Sequence, residues 1–191
     1  MKEMVNDFKE FHKHWIRESN LIENVDDDRE DERCFEAFKR ISELAITKKA
    51  ILDLHWDIML SLNQSIAGAF RFRNVRIVNT RSGETLFEPP EWKEVPTLMN
   101  EWIKHWSEPT TPEECKIAHI LFERIHPFDD GNGRVGRIIM NIQRMKIKTD
   151  PMVYYSDDRF EYYQIFHEFD AIWKGRWTRL LKRKENYNGI D

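Results

Sequence analysis

Residues 1–67 contain neither glycine nor proline; the first of either is Gly68. A stretch this long without the two residues that loosen or break helices commits its amphipathic parts to helix. Over residues 4–22, Val5, Phe8, Phe11, Trp15 and Ile22 fall near one helical face. Residues 25–31 are acidic and polar and read as a solvated connection or a helix start. Residues 34–62 read as further helix, with Phe35, Phe38, Ile41, Leu44, Leu52 and Ile58 at helical spacing.

The pattern changes at Gly68. Residues 70–78 alternate polar and apolar for part of their length, 80–83 carry turn chemistry, and Thr85, Leu86 and Phe87 can return as a second strand. Pro89 and Pro90 end this short β-hairpin. Helical patterns follow over 95–106, and from Pro112 onward with Ile117, Ile120, Leu121 and Ile125 as core candidates. Helix is expected again after Gly136 towards Met145, then over 160–173 and 177–184. The fold class is therefore mainly α with one small hairpin. A length of 191 residues fits one domain, or one domain with a small attachment.

Charge is abundant but nearly balanced, at a net −4, which argues against nucleic acid as a partner. No run of eighteen apolar residues is present, which argues against a membrane span. Cys34 and Cys115 form no CxxC pair, which suits a reducing cytoplasm.

The chemistry concentrates in His126-Pro127-Phe128-Asp129-Asp130-Gly131-Asn132-Gly133-Arg134-Val135-Gly136-Arg137. Pro127 must end the preceding helix, which leaves His126 at a helix terminus beside a loop. Gly131 and Gly133 permit close backbone approach, and a glycine-rich turn that opens a helix presents unpaired amides and a positive dipole end to an anion. Arg134 and Arg137, three apart, share a helix face, and each can fork onto phosphate oxygens. Asp130 is a hard oxygen ligand suited to Mg²⁺. His126 can accept a proton from a hydroxyl. Together these residues point to phosphate-transfer chemistry.

Three other motifs fail on context. Residues 131–136 match GxGxxG, but the preceding 121–125 are helical in pattern and no βαβ unit is present. An EF-hand register with Gly133 as the loop glycine puts Phe128 and Ile139 at ligand positions. A Walker loop needs lysine where Arg137 stands.

Residues 126–137 match the signature HPFx(D/E)GNGRxxR at every fixed position, so the chain resembles the Fic family. Gly68, Phe70, Arg71, Val75 and Ile77 are similar to the segment leading into that family's flap hairpin, and Tyr162-Tyr163 to the paired tyrosines of a late helix. The resemblance covers about residues 46–181. It implies a Fic-type helical bundle with a hairpin over the active site, and transfer of AMP from ATP to a Ser, Thr or Tyr hydroxyl with release of pyrophosphate. His126 would be the general base and Asp130 the Mg²⁺ ligand. Gly131, Asn132 and Gly133 would form the anion hole, with Arg134 on the α/β-phosphates and Arg137 on the γ-phosphate. Phe128 would pack inward. Tyr162 and Tyr163 either border the adenine or pack in the core. The flap, about 75–87, would hold a target protein by strand addition, and self-modification is in keeping with the family. The aromatic content allows a homodimer without requiring one. Relatives with lysine at Gly133 or alanine at Gly131 transfer other groups, so these residues favour AMP, with UTP or GTP left open.

Ser19-Asn20-Leu21-Ile22-Glu23-Asn24 matches the family's inhibitory pattern (S/T)xxxE(G/N). By that resemblance residues 1–30 form an inhibitory helix with its acidic connection, and residues 31–191 the catalytic domain. The Glu23 carboxylate would pair bidentately with Arg137 and take the place of the γ-phosphate. The same Glu assists AMP removal in similar proteins. Two further readings stay open: a nucleotide-binding regulatory module with little turnover, and an enzyme that removes AMP or transfers another nucleotide. Elsewhere, His12 and His14 read as surface residues, and His55, His105, His119 and His167 have no partner nameable from sequence. Trp15, Trp56, Trp102, Trp106, Trp173 and Trp177 read as core, and Lys182–Lys184 as a solvated helix end.

Overall fold

In the computed structural model, residues 2–79, 82–173 and 175–182 are described, with side chains from residue 9 onward. The helices are α1 (Lys2–Ile22), α2 (Asp28–Ser42), α3 (Lys48–Met59), α4 (Val95–Trp106), α5 (Pro112–Ile125), α6 (Asn132–Lys146), α7 (Arg159–Trp173) and α8 (Thr178–Lys182). The strands β1 (Ile77–Val78) and β2 (Thr85–Phe87) form an antiparallel hairpin between α3 and α4. Helices α5 and α6 pack side by side at the centre; α4 and α8 cover one side, and α1, α2 and α3 the other. Trp102, Trp106, Phe122 and Phe128 are fully buried in this core, as are Ile117, Ile120, Leu121 and Ile125. The boundary expected after residue 30 falls inside α2, and α1 packs against both α2 and α6.

The helical pattern of 34–62 is two helices, not one. Thr47 adopts an extended conformation and its side chain accepts the Ala50 amide at 3.2 Å, which starts α3 afresh. Leu44 lies in the break and is half exposed. The acidic run divides: Asp27 caps α2, and Asp28, Glu30 and Asp31 fill its first turn, where the helix dipole favours them. Helix α6 begins at Asn132, five residues ahead of the expected start, so Gly133 and Gly136 lie inside it.

The alternating segment 70–76 is not a strand. Its strand character is confined to Ile77–Val78, paired Ile77 with Phe87 and Val78 with Thr85, and Leu86 bulges between the two pairings. Arg71 explains the difference. It is buried, and it donates from Nε to the His126 carbonyl (2.8 Å), from Nη1 to the Arg73 carbonyl (3.0 Å) and from Nη2 to the Pro90 carbonyl (2.6 Å). The Arg71 amide donates to the Pro127 carbonyl and the Arg73 carbonyl accepts from the Arg71 side chain, so these backbone groups are engaged outside a ladder.

Three side chains differ from expectation. His12 is buried, not superficial, and accepts Trp15 Nε1–H at Nδ1 (3.0 Å). Trp56 is 42% exposed although tryptophan usually packs inside. Phe11, on the apolar face of α1, is 40% exposed. The side chains of Val5 and Phe8, the turn residues Thr80 and Arg81, and Arg183 and Lys184 lie outside the described residues. Cys34 and Cys115 are buried and unbridged.

Candidate active site

Helix α5 ends at His126, whose backbone is left-handed (φ 50, ψ 63) and whose amide closes on the Phe122 carbonyl at 3.0 Å. A residue forced into this region stores strain unless its surroundings fix it. Here they do: Arg71 donates to the His126 carbonyl, and the Arg71 amide donates to the Pro127 carbonyl at 2.9 Å. The imidazole is fixed as well. Nδ1 lies 3.3 Å from the Glu123 carbonyl, which can only accept, so Nδ1 carries the proton and Nε2 keeps its lone pair. Burial lowers the His126 pKa to about 4, so the ring is neutral at physiological pH.

The loop from His126 to Gly131 is braced from inside. Asn132, expected to line an anion hole, keeps its backbone amide at the helix end and spends its side chain on Phe128: Oδ1 accepts the Phe128 amide and Nδ2 donates to the Phe128 carbonyl, both at 2.9 Å. Phe128 packs inward as expected, fully buried, and stacks on His55 with ring centroids 3.7 Å apart. His55 accepts the Gly68 amide at Nδ1 (3.0 Å), so Nε2–H donates to the Asp130 carbonyl, also at 3.0 Å. His55 lies 75 residues from that loop in sequence and shares no motif with it, so nothing in the chain's pattern signalled this contact. Burial lowers its pKa to about 4 and keeps it neutral.

Gly131 is left-handed (φ 80) and caps α6, where a side chain would strike Met59. The first helical bond of α6 runs from the Val135 amide to the Gly131 carbonyl (3.1 Å), so the amides of residues 132–134 precede the ladder at the positive end of the helix. Arg134 and Arg137 are both buried at 2% exposure. Nε of Arg134 and Nη1 of Arg137 have no acceptor, an expensive condition that an anion at this helix end would relieve. The exposed Asp130 carboxylate sits beside them, Oδ1 accepting the Gly131 amide at 2.6 Å and lying 3.7 Å from Arg134 Nη2.

Ser19 and Glu23 reach this site from the end of α1. Arg137 donates from Nε to Ser19 Oγ (2.8 Å), and from Nη2 to the Ser19 carbonyl (2.9 Å) and to Glu23 Oε1 (2.7 Å). The carboxylate contact is therefore single, not the expected fork: Ser19 takes Nε, and Nη1 is without an acceptor. The Glu23 carboxylate also covers Gly133: a Cβ there would collide with Oε1 and lie 2.8 Å from Arg137 Nη1. Asn24, the last residue of the pattern, is left-handed (φ 59), a conformation that favours Gly or Asn after a helix end. Burial opposes the charge on Arg137, but Tyr162, Glu23 and Glu123 more than offset it and leave its pKa raised.

The paired tyrosines separate. Tyr162 is buried beneath Arg137, with the guanidinium 4.9 Å from its ring centroid and its hydroxyl 3.1 Å from His119 Nε2. Tyr163 is 43% exposed at the edge of the cleft. This cleft, about 1110 Å³, runs between the hairpin, the loop and α7, and is bordered by Glu23, His126, Asp130, Gly131, Asn132 and Gly133 together with Tyr162 and Tyr163. Glu123 also borders it; burial pushes that carboxyl up to about 8, and His119 beneath it down to about 3. Neither was singled out from sequence for want of a motif. Among the described residues no helix is long and apolar enough to cross a membrane.

Comparisons with known proteins bear on the family and the fold. The protein adenylyltransferase Fic of Drosophila grimshawi is 31% identical over 129 residues, 64% of this chain and 25% of that protein. Protein adenylyltransferase fic-1 of Caenorhabditis elegans is 26% identical over 152 residues, 80% of this chain and 29% of that protein. The chain thus spans about a quarter of the length of these relatives. Among solved structures, a Fic-domain-containing signaling protein from Bacteroides thetaiotaomicron superposes with a TM-score of 0.69 at 21% identity, over 89% of this chain and 74% of that one. The Fic-1 structure from Caenorhabditis elegans superposes with a TM-score of 0.59 at 22% identity, over 80% and 48%. The Fic/DOC family profile matches residues 45–143, more than half of the chain. The chain belongs to the Fic/DOC family.

Proposed function

We propose that this protein transfers AMP from ATP to a hydroxyl of a target protein, and that Glu23 restrains the reaction. The observation that carries the reading is the pairing of a neutral, proton-accepting His126 Nε2 with a helix end that presents the amides of residues 132–134 and two buried guanidinium donors without acceptor, Arg134 Nε and Arg137 Nη1. The names of the relatives, protein adenylyltransferases, support the nucleotide as ATP.

The triphosphate would lie over the amides of residues 132–134, with the Arg134 and Arg137 donors on its oxygens. Asp130 is the residue fitted to hold Mg²⁺, which would shield phosphate charge there. The acceptor hydroxyl, presented from the hairpin edge, loses its proton to His126 Nε2. Its oxygen forms a bond to the α-phosphorus as the bond from that phosphorus to the bridging oxygen of the β-phosphate breaks. Pyrophosphate leaves with the electron pair. Arg71 and the Glu123 carbonyl serve this step by fixing the backbone and tautomer of His126. Asn132 and His55 hold the loop at its height. With Glu23 against Arg137 and over Gly133, the far end of the triphosphate cannot settle, and ATP is turned aside.

Incubation with Mg-ATP and a lysate of candidate targets, followed by intact-mass measurement and a pyrophosphate assay, tests the reading. One adenylyl group should appear on a protein for each pyrophosphate released, and His126→Ala should abolish both. Undiminished labelling by His126→Ala would reject His126 as the base.

A further inference from the structure

Arg124 lies in the last turn of α5, two residues before His126, and is buried. Its guanidinium edge forks onto Asp170 of α7, Nε to Oδ1 at 3.0 Å and Nη2 to Oδ2 at 2.7 Å, and Nη2 also reaches the Phe166 carbonyl at 3.2 Å. Its flat face lies 4.3 Å from the ring centroid of Phe87, the last residue of β2. One side chain thus touches the helix that carries His126, the helix that walls the cleft, and the hairpin. The hairpin's strands are two and three residues long, Val78 and Leu86 face solvent, and its base is tied by Arg71 and by the Trp92 amide donating to Asn74 Oδ1 at 3.0 Å.

We infer that Arg124 is a positioning residue that sets the height of the hairpin above His126, by carrying Phe87 on the face of a guanidinium whose edge is locked to Asp170. The inference rests on the transferase reading, in which the hairpin edge presents the acceptor hydroxyl. Proton transfer needs that hydroxyl at hydrogen-bond distance from Nε2, and a displacement of about 1 Å can cost on the order of a hundredfold in rate. Arginine is specifically required. Lysine keeps the charge but has neither the planar face for Phe87 nor the fork for Asp170.

The test uses Arg124→Lys and Phe87→Leu, each in the Glu23→Gly background, read by hydrogen exchange and by self-labelling with radiolabelled Mg-ATP. Amides of residues 77–87 should exchange roughly tenfold faster in both variants while α4 and α6 keep their protection. Maximal labelling should fall about tenfold, with the ATP concentration at half-maximal rate unchanged within about twofold, because neither Arg124 nor Phe87 is among the groups proposed to hold the triphosphate. Combining the two substitutions should add little to either alone, since both break one contact. Hairpin exchange equal to the parent in both variants would overturn the inference, as would loss of ATP affinity equal to the loss of rate. If Arg124→Lys loses protection throughout, Phe87→Leu decides alone. A Glu23→Gly parent that labels nothing would reject the transferase reading, and the exchange experiment would still decide this one.

Discussion

Asn132 shows how a residue inside a recognisable signature can serve a different purpose from the one its position suggests. Both ends of its amide are consumed by the Phe128 backbone, so its side chain stiffens the loop from within while only its amide faces the anion site. Asn132→Ala would strand a buried N–H and C=O together. The expected cost is about 1–3 kcal/mol of stability, measurable as a lower urea midpoint with unchanged slope. An unchanged midpoint would mean that the loop holds itself by other means. His126 was legible in sequence as a proton acceptor, because Pro127 puts it at a helix end. The devices that fix its tautomer and its backbone were not, because they depend on a backbone carbonyl and on Arg71, 55 residues away.

At the scale of elements, the end of α1 is where the sequence pattern located a contact with Arg137 and where the geometry still differed. The pattern from Ser19 to Asn24 located both polar groups, and the left-handed Asn24 accounts for its last position. What sequence could not give was the division of donors, in which Ser19 takes Nε and leaves Glu23 one contact. On the proposed function, Ser19 shares the restraint with Glu23. Ser19→Ala removes a hydrogen bond to a buried cation, about 1.5–3 kcal/mol, and should raise AMP incorporation roughly tenfold. Side-by-side labelling with wild type checks this; equal rates would confine the restraint to Glu23. The ends of α4 and α5 were legible because prolines mark them. The α2–α3 break was not, because apolar spacing continues across it and only the Thr47 cap interrupts the helix. The start of α6 was hidden because two glycines there, poor helix formers, are kept for contact: a Cβ at Gly136 would strike Glu123 Oε1 and His119 Nδ1.

Across the whole molecule, burial of ionisable groups around the cleft makes stability depend on pH in both directions. His119 and His126 have folded pKa values of about 3 and about 4 against an ordinary 6.5, so the unfolded chain takes up protons that the folded one refuses as pH falls below 6.5. Stability should fall from that point down towards pH 4. Glu123 acts oppositely: its folded pKa of about 8 against 4.5 gives stability that is complete below pH 4.5 and lost as pH rises towards 8. His55, also at about 4, adds to His119 and His126, so between 4.5 and 6.5 the histidines outweigh the one carboxyl and the thermal midpoint should peak near pH 6.5. Glu123→Gln should remove the decline above that peak, as followed by calorimetry from pH 4 to 9. A midpoint that keeps rising to pH 8 would contradict it.

The central claim is that a carboxylate from α1 occupies the place of a phosphate over α6 and holds back AMP transfer. Its most direct test is the initial rate of AMP incorporation from radiolabelled Mg-ATP by wild type, by Glu23→Gly and by Glu23→Gly with His126→Ala. Removal of Glu23 should raise the rate by at least about tenfold, the equivalent of one charge-assisted contact, and loss of His126 should return it to background. Equal rates for wild type and Glu23→Gly would contradict the account.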